Sequence, residues 1–313
     1  MSGSSGGAGS RTVRHTTRGI ALKLSATLAF SLMYATIKLA GPVPVGETVF
    51  FRGLFALVPL FALSFFTQGR GVGIRTERPL LHLRRAVAGT ASMFLNFAAL
   101  MRLPLADVTA FSFVMPIFAT VLAALLLGEK VGPHRAGAVV LGFGGVLLMV
   151  APHSGLGAGL ATGSTLGAAM ALGGALLSAF VVVFIRQMSA TETSEAIVFY
   201  FMVVCAAAGA ATMIWVRVPL GPGQIVWLVL CGILGGIGQV CMTYSYRYAE
   251  PSLLAPFDYA AMVWAVALGF FVFAEIPERI VLAGAGVVIA AGLYIVWRER
   301  RLHLKHIAAA SLL

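Results

Sequence analysis

Acid is scarce in this chain, and so is charge of either sign. Only 11 of its 313 residues are Asp or Glu, against 22 Lys and Arg, and charged residues make up 11% in all, where a soluble globular chain carries about a quarter. Cysteine is rare as well. Cys205, Cys231 and Cys241 all fall inside apolar stretches and lack metal-ligand spacing, which leaves them as small packing residues. None of the six histidines, His15, His82, His134, His153, His303 and His306, lies deep in an apolar stretch, so neither a histidine proton relay nor a histidine-based intramembrane metal site is expected. No P-loop, His-Glu-x-x-His or nucleophile-elbow motif occurs. These gaps argue against an ATP-driven pump and the known classes of membrane hydrolase, and they imply no metal and no cofactor. Period-two alternation is missing too, so a transmembrane barrel is excluded.

What fills the chain instead is apolar sequence: hydrophobic residues reach 59% and the mean hydropathy is +0.95. Ten stretches have the roughly 20-residue length of a membrane-spanning helix, at about 19–40, 46–67, 84–102, 105–127, 134–151, 165–187, 195–216, 223–247, 252–273 and 280–297. An all-α membrane protein with ten transmembrane helices is expected. A net charge of +11 raises nucleic acid as a partner, but the basic residues sort by side of the membrane. Arg11, Arg14, Arg18, Lys23, Arg70, Arg75, Arg78, Arg84, Arg85, Lys130, Arg135, Arg186 and Arg247 gather on one side with the C-terminal cluster, against Arg102, Arg217 and Arg279 on the other. The positive-inside rule then puts both termini in the cytoplasm of an inner-membrane protein, with lipid headgroups facing the basic tails. Residues 1–18 open with a Gly- and Ser-rich run and read as a flexible basic tail. Residues 298–313 form the second cytoplasmic tail. Span 1 is too long for the apolar core of a cleaved signal peptide, so it is expected to stay in the protein.

The apolar text is written twice. Aligning Phe97-Ala-Ala-Leu with Thr243-Tyr-Ser-Tyr places Phe111 on Phe257, Ala119 on Ala265, Leu122 on Leu268 and Glu129 on Glu275. The Gly-rich, uncharged loop 152–164 separates a first five-span unit, 19–151, from a second, 165–297. A unit with an odd number of spans must insert upside down relative to its copy, which is an architecture of secondary transporters. Short loops predict that sequential helices pack as neighbours. Spans 5 and 10 are the richest in Gly and Ala, a composition that lets helix backbones pack closely as scaffold; a sliding surface is the alternative.

Polar residues inside spans are the candidates for function. Thr27, Ser31, Tyr34 and Lys38 recur at steps of four, three and four, along one face of span 1. Lys38 is either a pathway cation or a lysine that snorkels to the outer headgroups. Span 4 carries Thr109, Ser112, Pro116 and Thr120, and its repeat partner, span 9, carries Ser252, Pro256, Asp258 and Tyr259. A proline in each predicts paired helix interruptions, which point to a transporter's site or are plain kinks. Gln239 and Asn96, in repeat-related spans 8 and 3, are suited to bind a zwitterion or to glue helices together. Thr243 and Tyr244 follow Gln239; Tyr244 and Tyr259 with Trp264 either line an aromatic-accepting cavity or belong to an interfacial belt. Asp258 has three readings: an ion pair with Lys38 or Arg52, a site for a substrate ammonium, or a coupling-proton carrier. Arg52 is expected to pair with Glu47 or Asp107, and Glu129 and Glu275, being duplicated, to cap or pair with a neighbouring helix N-terminus.

Several of these segments together resemble a known family. Phe51-Phe-Arg-Gly opening span 2, Leu95-Asn-Phe-Ala-Ala-Leu joining Leu103-Pro-Leu-Ala-Asp, Pro116, Leu125-Leu-Leu-Gly-Glu, and Gly144-Gly-Val-Leu-Leu-Met are similar to the EamA-type branch of the drug/metabolite transporter superfamily. The second half departs from it, with Ala274-Glu275 in place of Gly-Glu. The resemblance implies a metabolite exporter with a central cavity of alternating access, and amino-acid exporters, including aromatic ones, are its nearest type. A small-molecule substrate such as an amino acid is the expected partner. Uptake, or transport of another metabolite or drug, is the alternative within that class. A membrane-embedded enzyme or a scaffold protein is less supported, since the first needs a nucleophile with its base and the second needs no inward polar stripes.

Overall fold

In the computed structural model, the structure describes residues 6–68, 74–127, 132–153, 163–188, 191–249 and 251–310. Every regular element among them is helical: α1 (Gly6–Leu39), α2 (Val45–Gln68), α3 (Pro79–Leu100), α4 (Leu105–Ser112), α5 (Met115–Leu127), α6 (Pro133–Val150), α7 (Gly163–Met188), α8 (Ser194–Thr212), α9 (Pro222–Tyr248), α10 (Pro251–Leu254), α11 (Ala260–Phe273) and α12 (Arg279–Ala310), with 3₁₀ turns at Ala151–His153 and Ala255–Tyr259. Nine segments among the described residues are long and apolar enough to cross a membrane. The tenth expected span is α3, whose 22 residues include Arg84 and Arg85. Helix α1 begins at Gly6, inside the tail expected to be flexible, because a helix already nucleated in the span gains a hydrogen bond for each residue it adds.

Helix boundaries follow local chemistry. Pro79, Pro133 and Pro222 start α3, α6 and α9, where a proline's fixed φ fits and its missing N–H costs nothing. Thr193 caps α8, its side chain accepting from the Ala196 N–H at 3.2 Å. Gly41 ends α1 with φ 76°. At the end of α11 the same left-handed conformation is taken by Ala274, φ 53°, with the Glu275 N–H returning to Gly269 O at 2.9 Å in the pattern of a helix C-cap that favours glycine.

Spans 4 and 9 are both interrupted, as their prolines predict. Helix α4 stops at Ser112, the Phe113 and Val114 N–H groups bond to carbonyls three residues back, and α5 resumes at Met115. Pro116 has no N–H and its ring clashes with a carbonyl four residues earlier, so a continuous helix is not available there. In span 9, Pro256 sits in the 3₁₀ turn between α10 and α11.

Helices pair mostly across the two halves. The broadest contacts join α1 to α9, α2 to α8, α3 to α7 and α6 to α12, followed by α2 with α9, α3 with α8, α5 with α7, α1 with α11 and α4 with α11. Exchanging the halves maps all of this set but α4 with α11 onto itself: α1 with α9 becomes α7 with α3, and α1 with α11 becomes α7 with α5. The expectation that sequential helices pack as neighbours is therefore corrected. Short loops limit separation, but burial of apolar and small-residue faces decides partners. At the α6–α12 crossing a Cβ on Gly145 would lie 2.8 Å from Gly284 O, and one on Gly284 2.6 Å from Gly145 O, so these glycines serve close packing. Outward-facing Phe65, Leu125, Leu147 and Phe271 are more than two-thirds exposed, as lipid contact requires.

Candidate functional site

The halves enclose a cavity of about 640 Å³. Its floor contains Phe113 and Tyr259, which are repeat counterparts, and their rings meet edge to face with centroids 5.1 Å apart. The pseudo-two-fold relation thus runs through the cavity, between the two interrupted spans. Phe30, Tyr34, Phe97 and Phe201 add aromatic surface, with Tyr34 and Phe97 again edge to face at 6.2 Å. The lining reaches Thr27, Asp258 and Tyr246 toward the end where α1 and α3 begin. At the opposite end the bundle is closed by a polar lock.

That lock is built from Glu275. The left-handed turn at Ala274 aims its carboxylate back into the bundle, where Oε1 pairs with Lys38 and Oε2 accepts from the Leu105 N–H at 3.0 Å. Glu275 therefore caps the N-terminus of α4, the kind of duty expected of it; Glu129 lies outside the described residues. Lys38 also reaches Leu103 O at 3.4 Å and sits against the Phe273 ring. Beside this lock, Asp107 and His153 pair at 3.1 Å, the ring's Nδ1 lying 3.1 Å from Met149 O.

Seven of the expected site residues line the cavity: Tyr34, Asn96, Thr109, Ser112, Gln239, Asp258 and Tyr259. Four stand outside the lining. Lys38 is engaged in the lock, Thr243 bonds back to Gln239 O at 2.9 Å, Tyr244 is half-buried on α9, and Trp264 donates from its indole N–H to Thr27 Oγ1 at 3.2 Å, pinning α11 to α1 behind the wall. The lining residues differ in how much of their polarity the protein consumes. Thr109 and Ser112 donate to carbonyls of their own helix, and the Asn96 amide donates to Ser92, whose hydroxyl lies 2.8 Å from both Gly174 O and Ser178 Oγ. The Gln239 side chain has no hydrogen-bond partner among the described residues.

Two ion-pair expectations need correction. Asp258 pairs with Lys23 at 2.7 Å, not with Lys38 or Arg52; Lys23 is 1% exposed and also donates to Tyr246 Oη at 3.0 Å, while the carboxylate is 47% exposed toward the cavity. Arg52 has neither Glu47 nor Asp107 as partner, since Glu47 accepts from the Val218 N–H and Asp107 holds His153. Instead Nε and Nη1 lie 3.1 Å from the sulfurs of Met33 and Met202, and Nη2 donates to Gly235 O at 3.3 Å. Lys23 and Arg85, counted among the cytoplasmic basic residues, are buried within the bundle. One turn outside the core, His82 pairs with Glu192 at 3.0 Å, and Glu192 also accepts from the Glu77 N–H. The His82 hydrogen bond holds the Glu192 carboxyl below its ordinary value despite the cost of burial.

Arg85 is the site residue that the sequence reading passed over. Its guanidinium carbon stands 3.9 Å from the centroid of the Phe201 ring. The signal was present: Arg85, Gly89, Ser92 and Asn96 recur at steps of four, three and four, and all four line the cavity. A count of loop charges absorbed Arg85 together with its exposed neighbour Arg84. Lys23 likewise extends the Thr27, Ser31 and Tyr34 stripe by one more turn.

Comparison with known proteins agrees with this architecture. A crystal structure 19% identical in sequence superposes with a TM-score of 0.65, covering 91% of this chain and 99% of that one. Curated relatives include a pseudopaline exporter of Pseudomonas aeruginosa, 27% identical over 276 residues (87% of this chain, 94% of the relative), and a riboflavin transporter of Rhizobium johnstonii, 29% identical over 283 residues (88% and 90%). An S-adenosylmethionine uptake transporter of Rickettsia felis is 25% identical over 260 residues (82% and 84%). The EamA-like transporter family matches at residues 17–151 and again at 165–297. The chain belongs to that family, within the drug/metabolite transporter superfamily, and is a membrane transporter, not an enzyme.

Proposed function

We propose that this transporter exports amino acids, aromatic or otherwise hydrophobic, or similar small metabolites across the inner membrane by alternating access of two inverted five-span units, 19–151 and 165–297, with both termini cytoplasmic. The observation that carries the reading is the cavity at the Phe113–Tyr259 contact, which combines aromatic walls with charged groups of both signs. A zwitterion with an apolar side chain uses all three kinds of surface: guanidinium for its carboxylate, the Asp258 carboxylate for its ammonium, and rings for the remainder. The lining runs toward the N-terminal end of α1 while the Lys38–Glu275 lock closes the other end. In the proposed orientation that is a state ready to load from the cytoplasm, the first step of export. Relatives named for export and for uptake make direction a matter for measurement.

Purified protein in liposomes of known sidedness, given a panel of labelled amino acids with and without a pH gradient, tests the proposal. Saturable flux of hydrophobic or aromatic amino acids, faster from the cytoplasmic face, is the expected result. Absence of flux for every member of the panel overturns the amino-acid reading.

A further inference from the structure

Two arginines, from different helices, bury their guanidiniums against the same turn of α8. Arg52 of α2 is 3% exposed and lies against Met202; Arg85 of α3 is 5% exposed and lies over Phe201, the residue before it. Both line the cavity. Among the described residues neither has a carboxylate within ion-pair distance. The neighbours of Arg52 are two thioethers and one carbonyl, and Nε and Nη1 of Arg85 are buried without a hydrogen-bond partner. Among the described residues that line the cavity the one acid, Asp258, is already paired with Lys23.

A single unpaired charge in the interior of a membrane protein is costly, and two of one sign side by side are more so. Protein groups leave both uncompensated, so the compensation is brought by a ligand. Resting on the transporter reading of this cavity, we propose that Arg52 and Arg85 form a receptor for two anionic groups and that the transported metabolite carries two carboxylates on an apolar or aromatic body. Each guanidinium offers a planar fork matched to one carboxylate. The surface around the forks consists of Met33, Met202 and Phe201, which suits carbon between the two acids and disfavours a compact, strongly hydrated phosphate. The open amide of Gln239 remains in the lining for amine or hydroxyl groups.

Binding to the purified full chain in detergent, measured by calorimetry, tests this with three probes: N-acetylphenylalanine with one carboxylate, N-succinylphenylalanine with two, and inorganic phosphate. The second carboxylate should strengthen binding by at least about tenfold, the lower range for a charge-assisted hydrogen bond. Arg85→Gln should erase that preference, and Arg85→Lys should retain part of it. Since Arg85 makes no hydrogen bond that holds the fold together, its variants keep the test usable even where Arg52→Gln fails to fold. Equal binding of the two phenylalanine derivatives, an unchanged ratio in Arg85→Gln, or phosphate binding more tightly than the succinyl derivative overturns the inference. Saturable flux of ordinary amino acids that N-succinylphenylalanine does not compete with would also overturn it while leaving the transporter reading standing.

Discussion

Removing Lys38 should unlock the end of the bundle that is closed in this structure. Lys38 is the sole basic partner of Glu275 among the described residues, and their side chains are 17% and 23% exposed. Such a pair falls between an exposed one, at about 0–1 kcal/mol, and a fully buried one whose loss costs about 3–5 kcal/mol, so about 2 kcal/mol is assigned to it. The pair ties α1 to the end of α11 and, through Leu105, to α4. If it exists only while this end is closed, Lys38→Met moves the equilibrium toward the opposite-facing state by about thirtyfold, at 1.4 kcal/mol per factor of ten. Ser112 lines the cavity and, as Ser112→Cys, reports which face water reaches. Cys205 and Cys231 are fully buried, so replacing Cys241 leaves a quiet background, and the parent without Ser112→Cys is the control. A membrane-impermeant thiol reagent on the outer face should label the Lys38→Met protein about thirtyfold faster, up to the ceiling set when the open state becomes the majority. A change below threefold, or equal acceleration from both faces, refutes the lock.

Four further outcomes follow from local geometry. Ala274→Gly should raise the thermal unfolding midpoint, worth about 1 kcal/mol, because it relieves a left-handed alanine; an unchanged or lower midpoint counts against strain there. Gly145→Ala should cost about 1–3 kcal/mol by driving α6 off α12, whereas Gly144→Ala, with nothing within 4 Å of its Cβ, should not; melting in detergent compares them. Asp258→Asn should destabilise by about 2 kcal/mol, between the exposed and fully buried limits because the carboxylate is half-exposed and Lys23 is left as a buried cation, and adding Lys23→Met should recover most of the loss; a double variant no better than the single contradicts the pairing. Finally, the lowered Glu192 carboxyl stabilises the fold fully above its unfolded value near 4.5, and that contribution fades as pH falls through the lower folded value. Glu192→Gln should therefore melt below the parent at pH 7 and converge with it toward pH 3, and a gap that persists in acid would exclude this linkage.

The spans and their interruptions were legible because each has a local cause. Twenty apolar residues make a span wherever they occur, and Pro116 or Pro256 breaks a helix through its own ring. Partners across the bundle were not legible. Charge alone matches Asp258 with Lys38 or Arg52, cations of spans 1 and 2, but the packing of α1 on the 3₁₀ turn ahead of α11 brings it to Lys23. Arg52 was given an acid by charge alone, when both candidate acids are held by groups from other helices. Neither pairing could be read from loop lengths, because the main helix contacts run between halves and sequential helices touch little. Arg85 is a different kind of miss: its stripe was visible, but a rule about loop charge claimed the residue first.

Duplication sorts residues by duty only in part. Glu275, one of a duplicated pair, is architectural, capping α4 and holding Lys38. A second repeated device carries little sequence signal: Glu47 near the start of α2 accepts the Val218 N–H ahead of α9, and Glu192 just before α8 accepts the Glu77 N–H ahead of α3. Exchanging the halves relates the two. Yet Lys38 has no duplicate and still serves the architecture, so being unduplicated does not make a residue specific for substrate. A sharper criterion is whether the protein itself consumes the polar group. By that criterion Thr109, Ser112 and Asn96 are largely satisfied by backbone and neighbours, while Arg52, Arg85 and Gln239 face the cavity with capacity left over. A transporter must release what it binds, and groups whose polarity is met only by a ligand are those whose loss changes selectivity before it changes the fold.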